Sequence, residues 1–267
     1  MIWRRPNGWR RGSCGCDHHP AAIGQDDGAE TIGSSAMRVM VAGVVLVMTA
    51  PAPVAAQETD GPDIVVTAPG KPLQVDAKLL RIAQRRLAKD RAALAPAATL
   101  RFELWRGGQR VAANDLALVL TDGTRQLPVT VDSDGRFALP AIPEGRWFLR
   151  GGTAAQALSL RPLVLSPGTG IEDRRLGDLR AQCQVAVAMG KAQASILALP
   201  LIGVFDLAGG CASSRFNFYH RVERPLASAV ADAPGGPVVL PLRTQSYRPP
   251  LADRTFGNET RIRLSYR

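Results

Sequence analysis

The sequence predicts a mainly β protein with a few helices: an antiparallel β-sandwich, then a smaller α+β region, with one amphipathic helix in front of both. Its composition, 46% hydrophobic and 21% charged over 267 residues, is that of a globular protein. Short apolar segments separated by Asp-Gly and Pro-Gly turn signals recur between residues 99 and 180, which is typical of a sandwich. One segment, residues 76–95, has helical spacing instead.

Residues 37–56 have the pattern of a secretory signal peptide. Arg38 supplies the positive start, residues 39–50 form an apolar segment, and Pro51 breaks it. That segment is shorter than the roughly 20 residues that span a bilayer. Small residues before the cut place cleavage between Ala56 and Gln57. We therefore expect a periplasmic or secreted protein.

Residues 1–36 do not fit a signal peptide, which begins close to its charged region. The segment contains Cys14, Cys16, His18 and His19, whose thiolates and imidazoles are of the kind that bind zinc. The favoured interpretation is an over-extended start or a disordered segment, with translation beginning at Met37. No cofactor or metal is expected.

Residues 57–75 contain many prolines and glycines and are predicted to be a flexible linker. Within it, residues 63–69 read Asp-Ile-Val-Val-Thr-Ala-Pro, which resembles the TonB box of TonB-dependent outer-membrane receptors. The resemblance implies that Ile64, Val65, Val66 and Thr67 add a strand to a partner's sheet. A receptor barrel would use the whole chain, so the implied role is that of a TonB-linked accessory protein. The alternative is a linker without this function.

Residues 76–95 are predicted to form a basic amphipathic helix, capped by Asp76 and stopped at Pro96. Leucines and alanines line one face. The other face carries Lys78, Arg81, Arg85 and Lys89. Such a helix can lie on anionic lipid, or its basic face can simply be solvated above an apolar stripe. We expect weak binding to anionic membranes at most.

Residues 99–180 are predicted to form the sandwich. Alternating or apolar segments bounded by turn residues mark its strands, because Asp bonds its own backbone in turns and Gly accepts positive φ. The predicted strands are Leu100–Trp105, Leu116–Thr121, Leu127–Val131, Arg136–Leu139, Arg146–Arg150, Ala157–Leu160 and Leu163–Leu165.

Residues 131–147 resemble the signature of the carboxypeptidase-regulatory-like, transthyretin-like β-sandwiches. The matching positions are Asp134, Gly135, Phe137, Leu139, Ile142, Pro143, Gly145 and Trp147. The resemblance implies a structural or binding module and specifies no chemistry.

Residues 181–267 are predicted to form the α+β region. A buried helix within Ala181–Leu207 is interrupted or ended by Pro200, and four strands follow: Arg215–His220, Leu226–Ala231, Val238–Leu242 and Thr260–Tyr266. Cys183 and Cys211 are the only cysteines after the cleavage site. In an oxidising compartment this predicts a disulfide; the alternative is two separately buried thiols.

Catalytic motifs are scarce. Gly-x-Ser-x-Gly, His-Glu-x-x-His, phosphate-binding Gly-rich loops and Cys-x-x-Cys are all missing from the sequence. His220 with Ser213 or Ser214 and Asp206 could form a triad, and a packed or solvated histidine is the alternative. Two carboxylate pairs, Glu172 with Asp173 and Asp132 with Asp134, coincide with turn signals.

The net charge is +10, from 33 Lys and Arg against 23 Asp and Glu, and almost all of the basic residues are arginine. It allows a basic patch for an acidic partner, but the Arg, Ala and Gly bias is also what a GC-rich genome produces. An exported protein has little access to nucleic acid. The sequence therefore predicts a binding or scaffolding protein of the Gram-negative cell envelope, not an enzyme, with an unidentified envelope component as partner. The alternatives are a hydrolase of envelope polymers with unidentified carboxylates and the TonB-linked accessory protein.

Overall fold

The computed structural model describes residues 58–60, 64–67, 70–153, 157–195 and 199–267. The predicted signal peptide, the cleavage site at Ala56 and Gln57, and the Cys14–His19 segment lie outside these ranges.

Within the described residues, strands predominate over helices, which confirms the predicted fold class at this level. The helices are α1 (Ala77–Leu94), α2 (Leu176–Gln193) and α3 (Leu199–Leu207). The strands before α2 are β1 (Glu58–Asp60), β2 (Ile64–Thr67), β3 (Pro72–Asp76), β4 (Thr99–Arg106), β5 (Gln109–Val111), β6 (Val119–Thr121), β7 (Gln126–Pro128), β8 (Thr130–Val131), β9 (Phe137–Ala138), β10 (Phe148–Thr153), β11 (Leu158–Leu165) and β12 (Asp173–Arg175). The strands after α3 are β13 (Asn217–Arg221), β14 (Leu226–Ala233), β15 (Gly236–Val239), β16 (Leu242–Arg243), β17 (Ser246–Tyr247) and β18 (Arg261–Tyr266).

Two antiparallel sheets share the first core. Their strand orders are β2–β11–β4–β9–β8, with β5 also paired to β4, and β3–β10–β6–β7. Phe102 and Leu104 from the first sheet and Leu120 and Leu149 from the second belong to one buried cluster. The ring of Phe102 stacks on Phe137 with centroids 5.7 Å apart. The sheets therefore pack as a sandwich.

The residues that carry the family resemblance have structural roles in this sandwich. Gly135 has a φ of +72°, and a Cβ there would lie 2.7 Å from the Cα of Ala112, so the turn needs glycine. Trp147 is buried, and its indole nitrogen donates to the carbonyl of Glu144 at 3.2 Å. These roles account for the residues, and membership of the family stays a prediction.

Helix α1 forms where the sequence predicts it. Asp76 caps it by accepting a hydrogen bond from the backbone nitrogen of Lys78 at 2.7 Å. Its apolar face packs into the sandwich core through Leu80, Ala83 and Leu87 and is therefore not available to lipid. Among the described residues, no helix has both the length and the apolar character needed to cross a membrane.

The basic face of α1 is divided between the fold and the solvent. Arg81 donates to the carbonyl oxygens of Pro143 and Gly145, so it clamps the turn before β10. Lys78, Arg85 and Lys89 are exposed. A contact with anionic membrane through these three residues stays a prediction, while Arg81 is already engaged within the fold.

The segment predicted as a flexible linker contains strands β1, β2 and β3 among the residues that the structure describes. Strand β2 is the TonB-box-like segment, and it pairs antiparallel with β11, Leu160 facing Ile64. Ile64 is 2% exposed and belongs to the sandwich core. In the structure this segment therefore pairs with a strand of its own chain, and its addition to a partner's sheet stays a prediction.

A second core joins the start of α2 to the last strands. One sheet has the order β12–β18–β14–β15, and a further sheet has the order β1–β13–β17–β16. On β18, Ile262 and Leu264 face this core and Arg263 and Ser265 are exposed, which confirms the predicted alternation.

The predicted boundary between residues 180 and 181 falls inside α2 in the structure. The described residues belong to one unit of the chain, Pro51–Arg267. Helix α2 contributes Val185 and Met189 to the sandwich core and Leu176 and Leu179 to the second core. Pro200 does not end this helix but lies in the first turn of α3, where a missing N–H costs nothing.

The predicted disulfide is confirmed. Cys183 in α2 is bonded to Cys211, and their Cα atoms are 6.1 Å apart. Gly209 and Gly210, with φ of +93° and +54°, turn the chain toward α2 just before Cys211. The bond therefore ties the end of the α3 segment back to the helix that both cores share.

The end of α1 is hydrogen-bonded to residues at the start of α2 and before β18. Arg175 donates to the carbonyl oxygen of Leu94 at 2.8 Å, and the side-chain amide of Asn258 donates to that of Ala93 at 2.9 Å. Gly177 lies between these contacts and donates its own N–H to the carbonyl of Asn258 at 2.9 Å. These bonds satisfy carbonyls that the helix end leaves without intrahelical partners.

Candidate functional site

A small cavity lies where the sandwich, α2 and β13 meet. Its volume is about 90 Å³, roughly three times the volume that a water molecule occupies in the liquid. Pockets for drug-sized ligands are larger, about 300–1,000 Å³, so this one suits a small ion or the end group of a ligand. It is lined by Glu103, Trp105, Arg161, Pro162, Leu163, Ile171, Arg174, Gln182, Ala186, Tyr219, His220, Arg221, Val222 and Glu223.

Arg174 brings a fully buried positive charge to the cavity wall. Its Nη2 donates to the carbonyl of Val164 at 3.1 Å and to Oε1 of Gln182 at 2.8 Å, and its Nη1 lies 3.3 Å from Nε2 of His220. Its Nε has no hydrogen-bond partner among the described residues. Burial lowers the pKa of Arg174, but a guanidinium stays charged at neutral pH.

His220 is a neutral acceptor for Arg174. Because a guanidinium can only donate, Nε2 of His220 must accept, and the neutral ring then carries its proton on Nδ1. Burial, followed by the charges of Arg174 and Arg161, holds the pKa of His220 well below its ordinary value. Behind it lies the ring of Tyr247, edge-on with centroids 5.4 Å apart. Burial raises the pKa of Tyr247, and its hydroxyl has no partner among the described residues.

The two carboxylates of the cavity are held by arginines. Oε1 of Glu103 accepts from Arg136 at 2.7 Å and its Oε2 accepts from the indole of Trp105 at 3.0 Å. Arg136 also donates to Glu223 at 3.1 Å, and Arg110 forms a further ion pair with Glu223. This network joins β4 to the segment after β13. The carboxylates therefore act as counter-ions of Arg136 and Arg110.

The structure does not assemble the predicted triad. His220 contacts Arg174 and Tyr247. Asp206 pairs with Lys191, and Ser213 accepts from the backbone nitrogen of Arg215 at 3.1 Å. His220, Asp206 and Ser213 are thus each held by different neighbours, so the geometry does not support the triad of His220 with Ser213 or Ser214 and Asp206.

The two predicted carboxylate pairs form ion pairs beside turns. Asp132 accepts from the backbone nitrogens of Asp134 and Arg136 at 3.1 and 2.8 Å, which is the turn role expected of Asp. Glu172 pairs with Arg224 at 2.8 Å. Asp173 pairs with Arg261, and this hydrogen-bonded guanidinium lowers the pKa of Asp173. Asp132, Glu172 and Asp173 thus act as hydrogen-bond acceptors, whereas a general acid must donate a proton.

Sequence reasoning found His220 but missed its neighbours in the cavity. Arg174 lies in a charged segment, Glu172 to Arg175, whose composition is typical of a solvated turn. Gln182 and Glu103 lie among apolar residues with no motif around them. Only the pairing of β12 with β18 places Arg174 inside, opposite the buried Ile262, and no local spacing could have indicated it.

The chain was compared with protein families, curated proteins and solved structures, and none of the three comparisons gave a match. The site must therefore be interpreted from its own geometry.

Acidification should destabilise the protein partly through His220. The folded-state pKa is depressed, so the unfolded state binds one more proton as the pH falls below about 6.5. The free energy of unfolding then falls by up to about 1.4 kcal/mol per pH unit until the folded pKa is reached. We expect the Tm of the wild type to drop further between pH 7.5 and 5 than that of His220→Gln, which keeps an acceptor for Arg174.

Every carboxylate is common to both proteins, so the difference between their Tm profiles isolates the histidine. Parallel profiles over this pH range would contradict a buried neutral His220.

Proposed function

We propose that this chain is exported to the cell envelope and acts there as a binding or scaffolding protein. The signal-peptide pattern that ends at Ala56 supports export. The Cys183–Cys211 disulfide supports it independently, because such bonds persist in oxidising compartments and are rare in the cytosol.

The observation that carries the binding role is the set of charged groups fixed around the cavity where the sandwich, α2 and β13 meet (the junction cavity). Arg174 is buried beside His220, and Arg136 bridges Glu103 and Glu223. Side chains held by partners of their own recognise a ligand without losing much conformational freedom on binding. A carboxylate hydrolase instead needs one carboxyl group that donates a proton, whereas Glu103 and Glu223 both accept from Arg136.

The first experiment tests the compartment. The full chain, tagged at its C-terminus, is expressed in a Gram-negative host and recovered from the periplasmic and cytoplasmic fractions. We expect mass spectrometry to find periplasmic protein that begins at Gln57. Full-length protein confined to the cytoplasm would contradict the proposal.

The second experiment separates binding from hydrolysis. The purified protein is incubated with isolated peptidoglycan and with the low-molecular-weight periplasmic fraction. We expect its Tm to rise with one of these while the polymer releases no soluble fragments. Release of fragments that is lost in Glu223→Gln, but kept in the exposed control Glu172→Gln, would establish the hydrolase instead.

A further inference from the structure

We propose that Arg174 binds a small anionic group, a carboxylate or a phosphate, that enters the junction cavity. This inference names the ligand chemistry for the binding role proposed above and rests on it. It assigns a function to a buried charge that the fold alone does not explain.

The first argument is that Arg174 has no directly bonded counter-ion, since Asp178 and Glu103 act on its charge only through space. Its hydrogen-bond acceptors, the carbonyl of Val164, Gln182 and His220, are all neutral. Within the ranges that the structure describes, no carboxylate forms a salt bridge with it. Removing a charge from water is costly unless an opposite charge compensates it. An anion in the cavity would provide that compensation.

The second argument is an unused donor. The Nε–H of Arg174 is buried, and no acceptor for it exists among the described residues. Buried polar groups are nearly always hydrogen-bonded, so an exception of this kind calls for an explanation. An anion oxygen is the strongest acceptor available to a guanidinium, and water could satisfy the N–H but not the charge.

The third argument is that the neighbouring carboxylates are already used. Glu103 has both oxygens occupied, by Arg136 and by Trp105. Glu223 is shared between Arg136 and Arg110. Both carboxylates are therefore already hydrogen-bonded, and neither forms a salt bridge with Arg174, so the described residues supply it with no directly bonded counter-ion.

The size and walls of the cavity limit what that anion is. A volume of about 90 Å³ is enough for one carboxylate or phosphate group. Trp105, with Arg161 stacked over its ring at 4.3 Å, and the buried Leu163 form an apolar part of the wall. Apolar surroundings strengthen the attraction between a guanidinium and an anion. The rest of the ligand would lie outside the cavity.

The test uses the full-length oxidised protein and the imidazole NMR signals of His220. The chain has two other histidines, His18 and His19, so the His220→Gln variant identifies the signal. Sodium phosphate and sodium acetate are titrated separately, up to about 20 mM at constant ionic strength. We expect a saturable shift of the His220 signal with at least one of them. Saturation with phosphate alone or with acetate alone identifies the anion class.

Two variants complete the test. Arg174→Gln should weaken binding about tenfold to hundredfold, the value of one charge-assisted hydrogen bond. The exposed Arg150→Gln should bind as the wild type does. No saturable shift with either anion would overturn the proposal, as would equal shifts in the wild type and Arg174→Gln. If Arg174→Gln does not fold, the wild-type and Arg150→Gln titrations decide alone.

This result is separate from the test of function. An anion site in a protein that stays in the cytoplasm would leave the inference standing and refute export. A periplasmic protein that binds envelope material but neither anion would refute the inference alone.

Discussion

Replacing Gly177 by alanine is expected to lower the Tm by roughly 6–12 °C. A Cβ at this position would overlap the carbonyl oxygen of Leu94 and would lie 3.0 Å from Cβ of Asn258. The first of these is backbone, so the contact cannot be relieved by a side-chain rotation. The clash should cost about 3 kcal/mol, the upper part of the usual range for overpacking, and in a chain of this size 1 kcal/mol shifts the Tm by about 2–4 °C.

Helix propensity acts in the opposite direction but is smaller. Alanine in a helix is favoured over glycine by about 1 kcal/mol. Gly203 in α3 is the matched control, because nothing lies within 4 Å of a Cβ there. We expect Gly203→Ala to leave the Tm unchanged or slightly raised. Equal Tm values for Gly177→Ala and the wild type, measured by differential scanning calorimetry, would show that α1 and α2 do not approach this closely.

Loss of the disulfide is expected to have an effect of similar size. Cys183 and Cys211 are separated by 28 residues, and for a loop of this length the chain-entropy model gives about 3.5 kcal/mol. The double variant Cys183→Ala/Cys211→Ala should therefore unfold roughly 7–14 °C below the oxidised wild type. Anion binding at Arg174 should persist in the folded variant, because neither cysteine lines that cavity.

Reduction supplies the internal control for the disulfide. A reductant should bring the wild type to the Tm of the double variant and should leave the double variant where it is. If the reductant shifts neither protein, the two sulfurs contribute to stability only as packed apolar groups.

Local signals were sufficient for some parts of the fold. Asp76 and Pro96 mark the ends of α1 because capping and chain termination are decided within one turn of the helix. The disulfide followed from counting, since Cys183 and Cys211 have no competitor after the predicted cleavage site. The alternation of apolar and polar residues along β18 could also be predicted, because one face of that strand is buried and the other is exposed to solvent.

Parts of the fold that depend on distant residues could not be predicted from the sequence. Ile64 to Thr67 has the composition of a free binding peptide, and only its pairing with β11 shows that it is the edge strand of a sheet in its own chain. Arg174 looks like a surface residue because its neighbours in sequence are charged, while its neighbours in space, Gln182 and His220, come from two other elements. Non-local pairing therefore limited both the linker prediction and the site prediction.

The pairing of β1 with β13 has a consequence for how the protein is made. The register places Glu58 beside Asn217. Strand β1 therefore cannot form these hydrogen bonds until β13 has been synthesised. A ribosome releases the N-terminal part first, and contacts between distant segments form slowly because a long loop must close. Pairing of β1 is therefore a late event, which follows the synthesis of most of the chain and leaves this strand unpaired until then.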